Sequence, residues 1–239
     1  MSIKLHIVHI YPNEMNTYGD RGNLLTLERR AQWHGIDPVL HYYSAGQQFP
    51  RDVDIVLGGG GQDSAQSGIQ TDILKLGDKI HSLVEAAVPM LLVCGTYQLF
   101  GNNFITSANE EIRGIGVFNL KTVGNPKRLI GNTAVETQEF GTLYGFENHS
   151  GKTYLAPGQS TLGTVVRGNG NNGEDKTEGA RVNNTIGTYL HGPLLPNNPQ
   201  LADGLIRLAL QRKGEELPER AIDDSLTFQA RHNASARNY

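Results

Sequence analysis

The only cysteine of the chain, Cys94, lies in the run Val88-Pro89-Met90-Leu91-Leu92-Val93-Cys94-Gly95-Thr96-Tyr97-Gln98-Leu99-Phe100-Gly101. Met90 to Val93 are apolar and long enough for a buried strand of a parallel sheet. Gly95 permits a tight turn, and Thr96 to Phe100 reads as a helix opening closed by Gly101. A strand that breaks through Cys-Gly into a helix has the form of a nucleophile elbow. A thiol there meets the positive end of a helix and its free N–H groups, which favour the nucleophilic thiolate. The same residues also suit a small apolar side chain in a core, the common place for a free cysteine.

Two further features bear on that choice. In Thr185-Ile186-Gly187-Thr188-Tyr189-Leu190-His191-Gly192-Pro193 a short strand ends in His191 beside a Gly-Pro turn. In a doubly wound sheet the carboxyl ends of strands carry the active site, so Cys94 and His191 can converge. Imidazole titrates near neutrality, and it can take the thiol proton and return one to a leaving amine. The other feature is Gly58 to Gly61. No Lys-Ser or Lys-Thr follows in the place a phosphate loop requires. It reads as a tight turn, or as a loop whose N–H groups, together with that of Gly95, hold an oxyanion. Cysteine, histidine and an N–H cradle suggest acyl transfer. They do not separate amidase, glutaminase, protease and thioesterase.

The elements that must position these groups follow from the pattern. Ile3 to Ile10 reads as a first strand, followed by a helix with Leu24, Leu27 and Ala31 on one face, starting near Asp20 and ending before Gly35. Val39 to Tyr43 and Asp54 to Leu57 are strands. Ile73, Leu76, Ile80, Leu83 and Val84 mark the next helix, and the Cys94 strand comes after it. This order predicts an α/β fold with a mostly parallel twisted sheet flanked by helices. From Ile112 to Tyr189 short β-rich runs alternate with Gly and Asn, which predicts added β-hairpins in the second half. Arg167 to Asn184 reads as a polar surface hairpin loop. Asn198 to Arg212 is helical. The chain is expected to form one domain over residues 1–213 with a charged C-terminal tail over 214–239.

At 239 residues, 38% hydrophobic, the chain can bury a substantial core. The net charge of −3 gives no basic field for nucleic acid or an anionic membrane. No apolar run approaches the ~20 residues of a membrane span, and no signal-peptide core is evident at the N-terminus. With a single cysteine there is no internal disulfide framework, so a cytoplasmic location is expected. The remaining histidines (His6, His9, His34, His41, His81, His149, His232) form no metal-ligand spacing with a cysteine pair, and no metal is expected.

The elbow resembles the C-G-G-Y-Q-x-L-G elbow of the cobyric-acid-synthase-like branch of class I glutamine amidotransferases. Gly145-Phe146-Glu147-Asn148-His149-Ser150-Gly151 is similar to that branch's G-Y-E-I-H-M-G segment, and Gly187 to Gly192 matches its G-T-Y-L-H-G segment. Asn16 to Asn23, Lys127 to Gly131 and Gly168 to Lys176 extend the likeness to the glutaminase subunits of lipid II isoglutaminyl synthases. The resemblance implies a flavodoxin-like amidotransferase fold. It also implies that Cys94 attacks the side-chain amide of L-glutamine, that the N–H groups of Gly59, Gly60 and Gly95 hold the oxyanion, that His191 protonates departing ammonia, and that Arg128 binds the substrate. A guanidinium suits the α-carboxylate because it can grip both oxygens.

Two departures stand out. Thr96 replaces a common Gly and is expected to narrow the space beside the nucleophile. Pro193 stands where class I relatives often carry a Glu that orients the imidazole. Asp20 and Glu147 are the candidates on this chain for that role; otherwise a partner supplies the acid, or a Cys–His pair suffices. Ammonia does not amidate a carboxylate until the acid is activated, and no nucleotide loop or Mg²⁺ carboxylate cluster is evident here. No cofactor is therefore expected on this chain. ATP and Mg²⁺ are expected on a second subunit, which the resemblance implies is a Mur-ligase-like protein, MurT, acting on the D-glutamate α-carboxyl of membrane-bound lipid II. The alternatives are a cobyric or cobyrinic acid amidating system and a non-catalytic scaffold.

Overall fold

The computed structural model describes residues 3–235. The first two residues of the expected domain and the last four of the expected tail lie outside the described residues. The chain forms β1 (Lys4–Ile10), α1 (Arg21–Trp33), β2 (Asp37–Tyr43), β3 (Ile55–Gly58), α2 (Asp63–Glu85), β4 (Met90–Val93), α3 (Gly95–Leu99), β5 (Asn103–Ile105) and β6 (Glu111–Arg113). Then come β7 (Leu120–Thr137), β8 (Gly141–Leu155), β9 (Gly163–Arg167), β10 (Thr177–Glu178), β11 (Ala180–Val182), β12 (Thr185–Thr188), α4 (Leu194–Asn197), α5 (Pro199–Arg212) and α6 (Ser225–Ser235).

The first sheet has the order β11-β12-β4-β3-β1-β2, parallel except for β11. Successive residues Ile7 and Val8 of β1 point to opposite faces and are both fully buried, as are Met90 to Val93 of β4. A strand buried on both sides needs helices on both sides, which is why its sequence is a continuous apolar run. Helix α1 packs against α5, and α2 against α3. The order reverses between β1 and β3, where an open α/β sheet makes a crevice at its carboxyl edge.

The second sheet runs β10-β9-β7-β5-β6, with β8 paired to β7. The expected hairpins are present, dominated by the long β7–β8 pair. Gly124 pairs with Gly151 and Leu129 with His149, so residues 125–128 of β7 stand against Ser150 alone. Such a bulge bends the strand and re-aims the side chains within it. A bridge of two backbone hydrogen bonds joins the sheets: Phe146 N–H to His191 O at 3.0 Å, and His191 N–H to Phe146 O at 2.9 Å.

Two segments differ from the sequence-based expectation. The stretch 167–184 is not a solvated surface loop. Asn171, Asn172 and Glu178 are buried within it. Glu178 Oε1 accepts from Thr188 Oγ1 at 2.6 Å and from Tyr189 N–H at 2.7 Å, tying the segment to the strand end that leads into His191. The residues after Gly214 run back along α1. There Arg30, itself buried, grips Asp203 with Nε and Nη2 at 2.6 and 2.7 Å and reaches Asp224 with Nη1 at 2.7 Å. Charged partners far away in sequence give no periodic signal, so both segments read as solvent-facing from composition alone.

Candidate active site

The nucleophile elbow forms as the sequence predicts. Cys94 has φ 52° and ψ −104°, a left-handed conformation that a non-glycine residue adopts at a cost of about 1–3 kcal/mol. The parallel pairing of Val93 with Thr188 holds it, with Cys94 N–H donating to Thr188 O at 2.8 Å. Gly95 has no room for a side chain: a Cβ there would lie 2.7 Å from Met15 Cε and 2.9 Å from Gly61 N. The same strand pairing carries the chain onward through Tyr189 to His191.

Cys94 and His191 come together at the glycine loop. A Cβ built on Gly60 would lie 3.1 Å from His191 Cε1, 3.2 Å from Cys94 Cβ and 3.4 Å from Tyr18 Cδ2. Both side chains are buried. Burial, with the Asp20 carboxylate nearby, pushes the Cys94 thiol up to about 12, outweighing the Arg128 charge and the Gly95 N–H. Burial, with His149 and Arg128 as lesser causes, pushes His191 down to about 3. The resting pair is thus a neutral thiol beside a neutral imidazole. The expected thiolate is not favoured, because helix α3 has five residues and its dipole is outweighed by desolvation.

The loop geometry corrects three expectations. First, Gly60 N–H donates to Asp20 Oδ2 at 2.7 Å, so the donor assigned to an oxyanion is already engaged. Gly59 is packed against Met15 O and the Asp20 side chain, and its carbonyl faces Thr96. Gly61 N, not Gly60 N, is the loop nitrogen set against Gly95. Second, Thr96 does not narrow the site. Its hydroxyl turns into the protein, 3.0 Å from Gly59 O and 3.1 Å from Val93 O, and fastens the glycine loop to the elbow.

Third, neither proposed acid on this chain orients the imidazole. Asp20 holds the glycine loop and is itself pushed up to about 6 by burial. Glu147 accepts from Asn169 N–H at 2.8 Å, Asn169 Nδ2 at 2.6 Å and Gly170 N–H at 2.9 Å, pinning that turn. Both ring nitrogens of His191 lack a hydrogen-bond partner among the described residues. Pro193, in the place of the usual Glu, packs on α1 at Gly22.

Cys94 opens on a cavity of about 530 Å³ shared with Tyr18, Asp63, Gln98, Arg128 and His149. Arg128 is delivered by the β7 bulge. Its Nε donates to Asn148 Oδ1 at 2.8 Å, and its Nη2 to Asn148 O at 2.7 Å and Tyr18 Oη at 3.0 Å. Its Nη1 has no partner among the described residues. Asp63, at the start of α2, lines the same cavity; burial holds its carboxyl up and the Arg128 charge opposes that. His149 stacks flat on Tyr189, centroids 3.7 Å apart, and pairs through Nδ1 with Gly151 O at 2.7 Å. Burial pushes it down to about 4. His191 borders a second, smaller cavity of about 210 Å³ with Tyr144, Phe146 and Gly192.

The sequence reading missed Tyr18 and Asp63. Tyr18 lies within the Asn16–Asn23 segment already noted for its resemblance, but nothing local marks its ring as facing His191. No group of three or more metal-ligating side chains occurs among the described residues. No helix among them is long and apolar enough to cross a membrane.

Comparisons with known proteins give the family and the fold. Residues 6–199 match the CobB/CobQ-like glutamine amidotransferase domain. The chain is 37% identical over 229 residues to the lipid II isoglutaminyl synthase (glutamine-hydrolyzing) subunit GatD of Staphylococcus aureus, covering 95% of this chain and 93% of the relative. It is 38% identical to the subunit of the same name from Streptococcus pneumoniae, over 94% of this chain and 88% of the relative. A probable cobyric acid synthase of Methanothermobacter thermautotrophicus is 27% identical, with 46% of its length covered. Among solved structures, the fold is shared with PurLQS from Thermotoga maritima, at a TM-score of 0.57 and 15% identity over 98% of this chain and 99% of that one. A strained cysteine elbow, a converging histidine and a matched domain lead to one assignment: the chain belongs to the CobB/CobQ-like glutamine amidotransferase family, in its GatD branch.

Proposed function

We propose that this chain hydrolyses L-glutamine to glutamate and ammonia through a thioester on Cys94. It passes the ammonia to a Mur-ligase-like partner, MurT, which amidates the D-glutamate α-carboxyl of lipid II. The observation that carries this reading is the convergence of Cys94 and His191 on Gly60, beside a cavity that holds Arg128.

Arg128 takes the substrate α-carboxylate with its unpartnered Nη1 edge, and Asp63 takes the α-ammonium from the opposite charge. The side-chain amide then reaches Cys94. His191 accepts the thiol proton as sulfur bonds to the amide carbon. The two events run together, because a separated ion pair is uphill from a neutral buried thiol and imidazole. The oxyanion is held by the N–H groups of Gly95 and Gly61. Imidazolium returns its proton to the departing nitrogen, releasing ammonia. Water, giving a proton to His191, attacks the thioester, and glutamate leaves as Cys94 recovers the proton.

The partner also supplies the acid that orients His191. This follows from the two unpartnered ring nitrogens, the engagement of Asp20 and Glu147 elsewhere, and the Pro193 replacement. Because that acid is provided on docking, glutamine is not wasted by the lone subunit. The test is glutamate and ammonia release by the chain alone and with its co-purified partner, and amidation of lipid II by the pair. Equal rates with and without the partner exclude the supplied acid. No glutamine turnover by the pair excludes the glutaminase reading.

A further inference from the structure

Within this chain, hydrogen bonds do not set the His191 ring, since neither nitrogen has a partner among the described residues. Packing sets it. The Gly60 backbone lies beside Cε1, and Tyr18 lies against the ring, its centroid 4.4 Å from that of the imidazole at an interplanar angle of 53°. The Tyr18 loop is fixed to the site independently, through Thr17 N–H to Gly60 O at 3.0 Å.

The far end of the same side chain touches the substrate-binding group. Tyr18 Oη accepts from Arg128 Nη2 at 3.0 Å and donates to Asn148 O at 3.2 Å. Arg128 and Asn148 belong to the β7–β8 hairpin, whereas His191 follows β12 of the parallel sheet. Tyr18 comes from the β1–α1 loop and touches both. A single rigid ring, with two rotatable bonds, thus spans the gap between the proposed carboxylate anchor and the proposed base.

We propose that Tyr18 is a positioning residue with two separable tasks: its hydroxyl sets Arg128 for the substrate carboxylate, and its ring holds the His191 imidazole in line with Cys94. The inference rests on the glutaminase reading. An arginine held by three hydrogen bonds presents its remaining edge in one direction, so losing one of them weakens capture. An imidazole free to swing leaves the thiol, and a displacement of about 1 Å costs on the order of 100-fold in rate.

The experiment is steady-state glutamine hydrolysis by the chain assembled with its partner, comparing wild type, Tyr18→Phe and Tyr18→Leu. Phe keeps the ring and removes the hydroxyl; KM is expected to rise by about 10-fold, with kcat within about twofold of wild type. Leu removes both; the same rise in KM is expected together with a fall in kcat of roughly 30- to 100-fold. Thermal melts check folding, and Tyr18→Met, similar in length and lacking the ring, replaces Leu if that variant is unstable. A wild-type kcat in the ring-less variant, or an equal kcat loss in Phe, overturns the ring's task. An unchanged KM in Phe overturns the hydroxyl's. If the wild-type pair hydrolyses no glutamine, the underlying reading fails; if it does and the variants match it, Tyr18 alone is wrong.

Discussion

The two walls of the site are built on opposite plans. The wall that holds Cys94 and His191 comes from the carboxyl edge of a parallel sheet, where β3, β4 and β12 are buried throughout and the turns are too tight for side chains. The wall that holds Arg128, Asn148 and His149 comes from a long antiparallel hairpin, with Arg128 exposed on a bulge. The first is rigid, apolar and neutral at rest. The second is polar and charged, and its contacts are made by side chains. A reacting centre gains from the first plan, since fixed geometry and low dielectric lower the barrier. A recognition surface gains from the second, since charge and hydrogen bonding select the substrate.

That contrast can be broken by mutation. Changes on the sheet wall should lower kcat, and changes on the hairpin wall should raise KM. Cys94→Ala should abolish glutamine turnover, by roughly 10,000-fold or more in a coupled glutamate assay of the assembled pair. A glutamine-like electrophile should label wild type at Cys94 and leave the variant unmodified. His191→Ala should cost about 100- to 10,000-fold in kcat.

Arg128→Ala should raise KM by about 10- to 100-fold with kcat nearly kept, the loss of a charge-assisted contact. Unchanged KM would remove Arg128 from the site and with it the division between the walls. Asp63, which α2 brings in from the parallel-sheet side, is the exception to that division: Asp63→Asn should raise KM for glutamine by about 10-fold, while narrowing the preference for glutamine over Nα-acetylglutamine, which lacks the ammonium. A merely structural Asp63 would leave that preference intact. Thr96→Val tests how firmly the loop is fastened; it should cost about 1 kcal/mol in chemical denaturation.

The last effect concerns pH. Burial holds His9 and His149 down to about 4 and His191 down to about 3, from an ordinary value of 6.5. Below about pH 6.5 the unfolded chain takes protons on these three histidines that the folded chain refuses, so stability falls as pH falls. Asp20 and Glu178, held up to about 6 and about 7, act in the opposite sense. They take protons first in the folded chain and offset part of the loss down to about pH 4.5. The decline should therefore be gentler than the three histidines alone would give, easing below about pH 4 as His9 and His149 take protons in the folded chain too, and His191→Gln should make it shallower still. Denaturation midpoints at pH 7, 5.5 and 4 would check both.

How far the sequence could be read follows the same division. The elbow, the β12 histidine and the glycine loop sit on continuous apolar runs ended by Gly, so local pattern located them. The bulge was not legible, because Gly124, Asn125 and Pro126 read as a break between short β-rich runs and not as the middle of one long strand. Helix α2 begins at Asp63, ten residues before the Ile73 that marks it in the sequence; Ile69 already packs into the core, while the polar residues around it carry Gln66 into contact with Gln98. The donors of the glycine loop could not be assigned from residue type, since any of four consecutive glycines offers an N–H.

The sequence by itself determined the parallel sheet, the cysteine elbow and the order in which its motifs appear, because these depend on short-range periodicity and on turns that only glycine fits. The tertiary structure decided which groups meet. Tyr18 lies against an imidazole 173 positions away, Asp20 occupies the Gly60 N–H, and the thiol loses its expected charge. Desolvation and hydrogen-bond competition are properties of the packed interior, and neither is written in the spacing of residues along the chain.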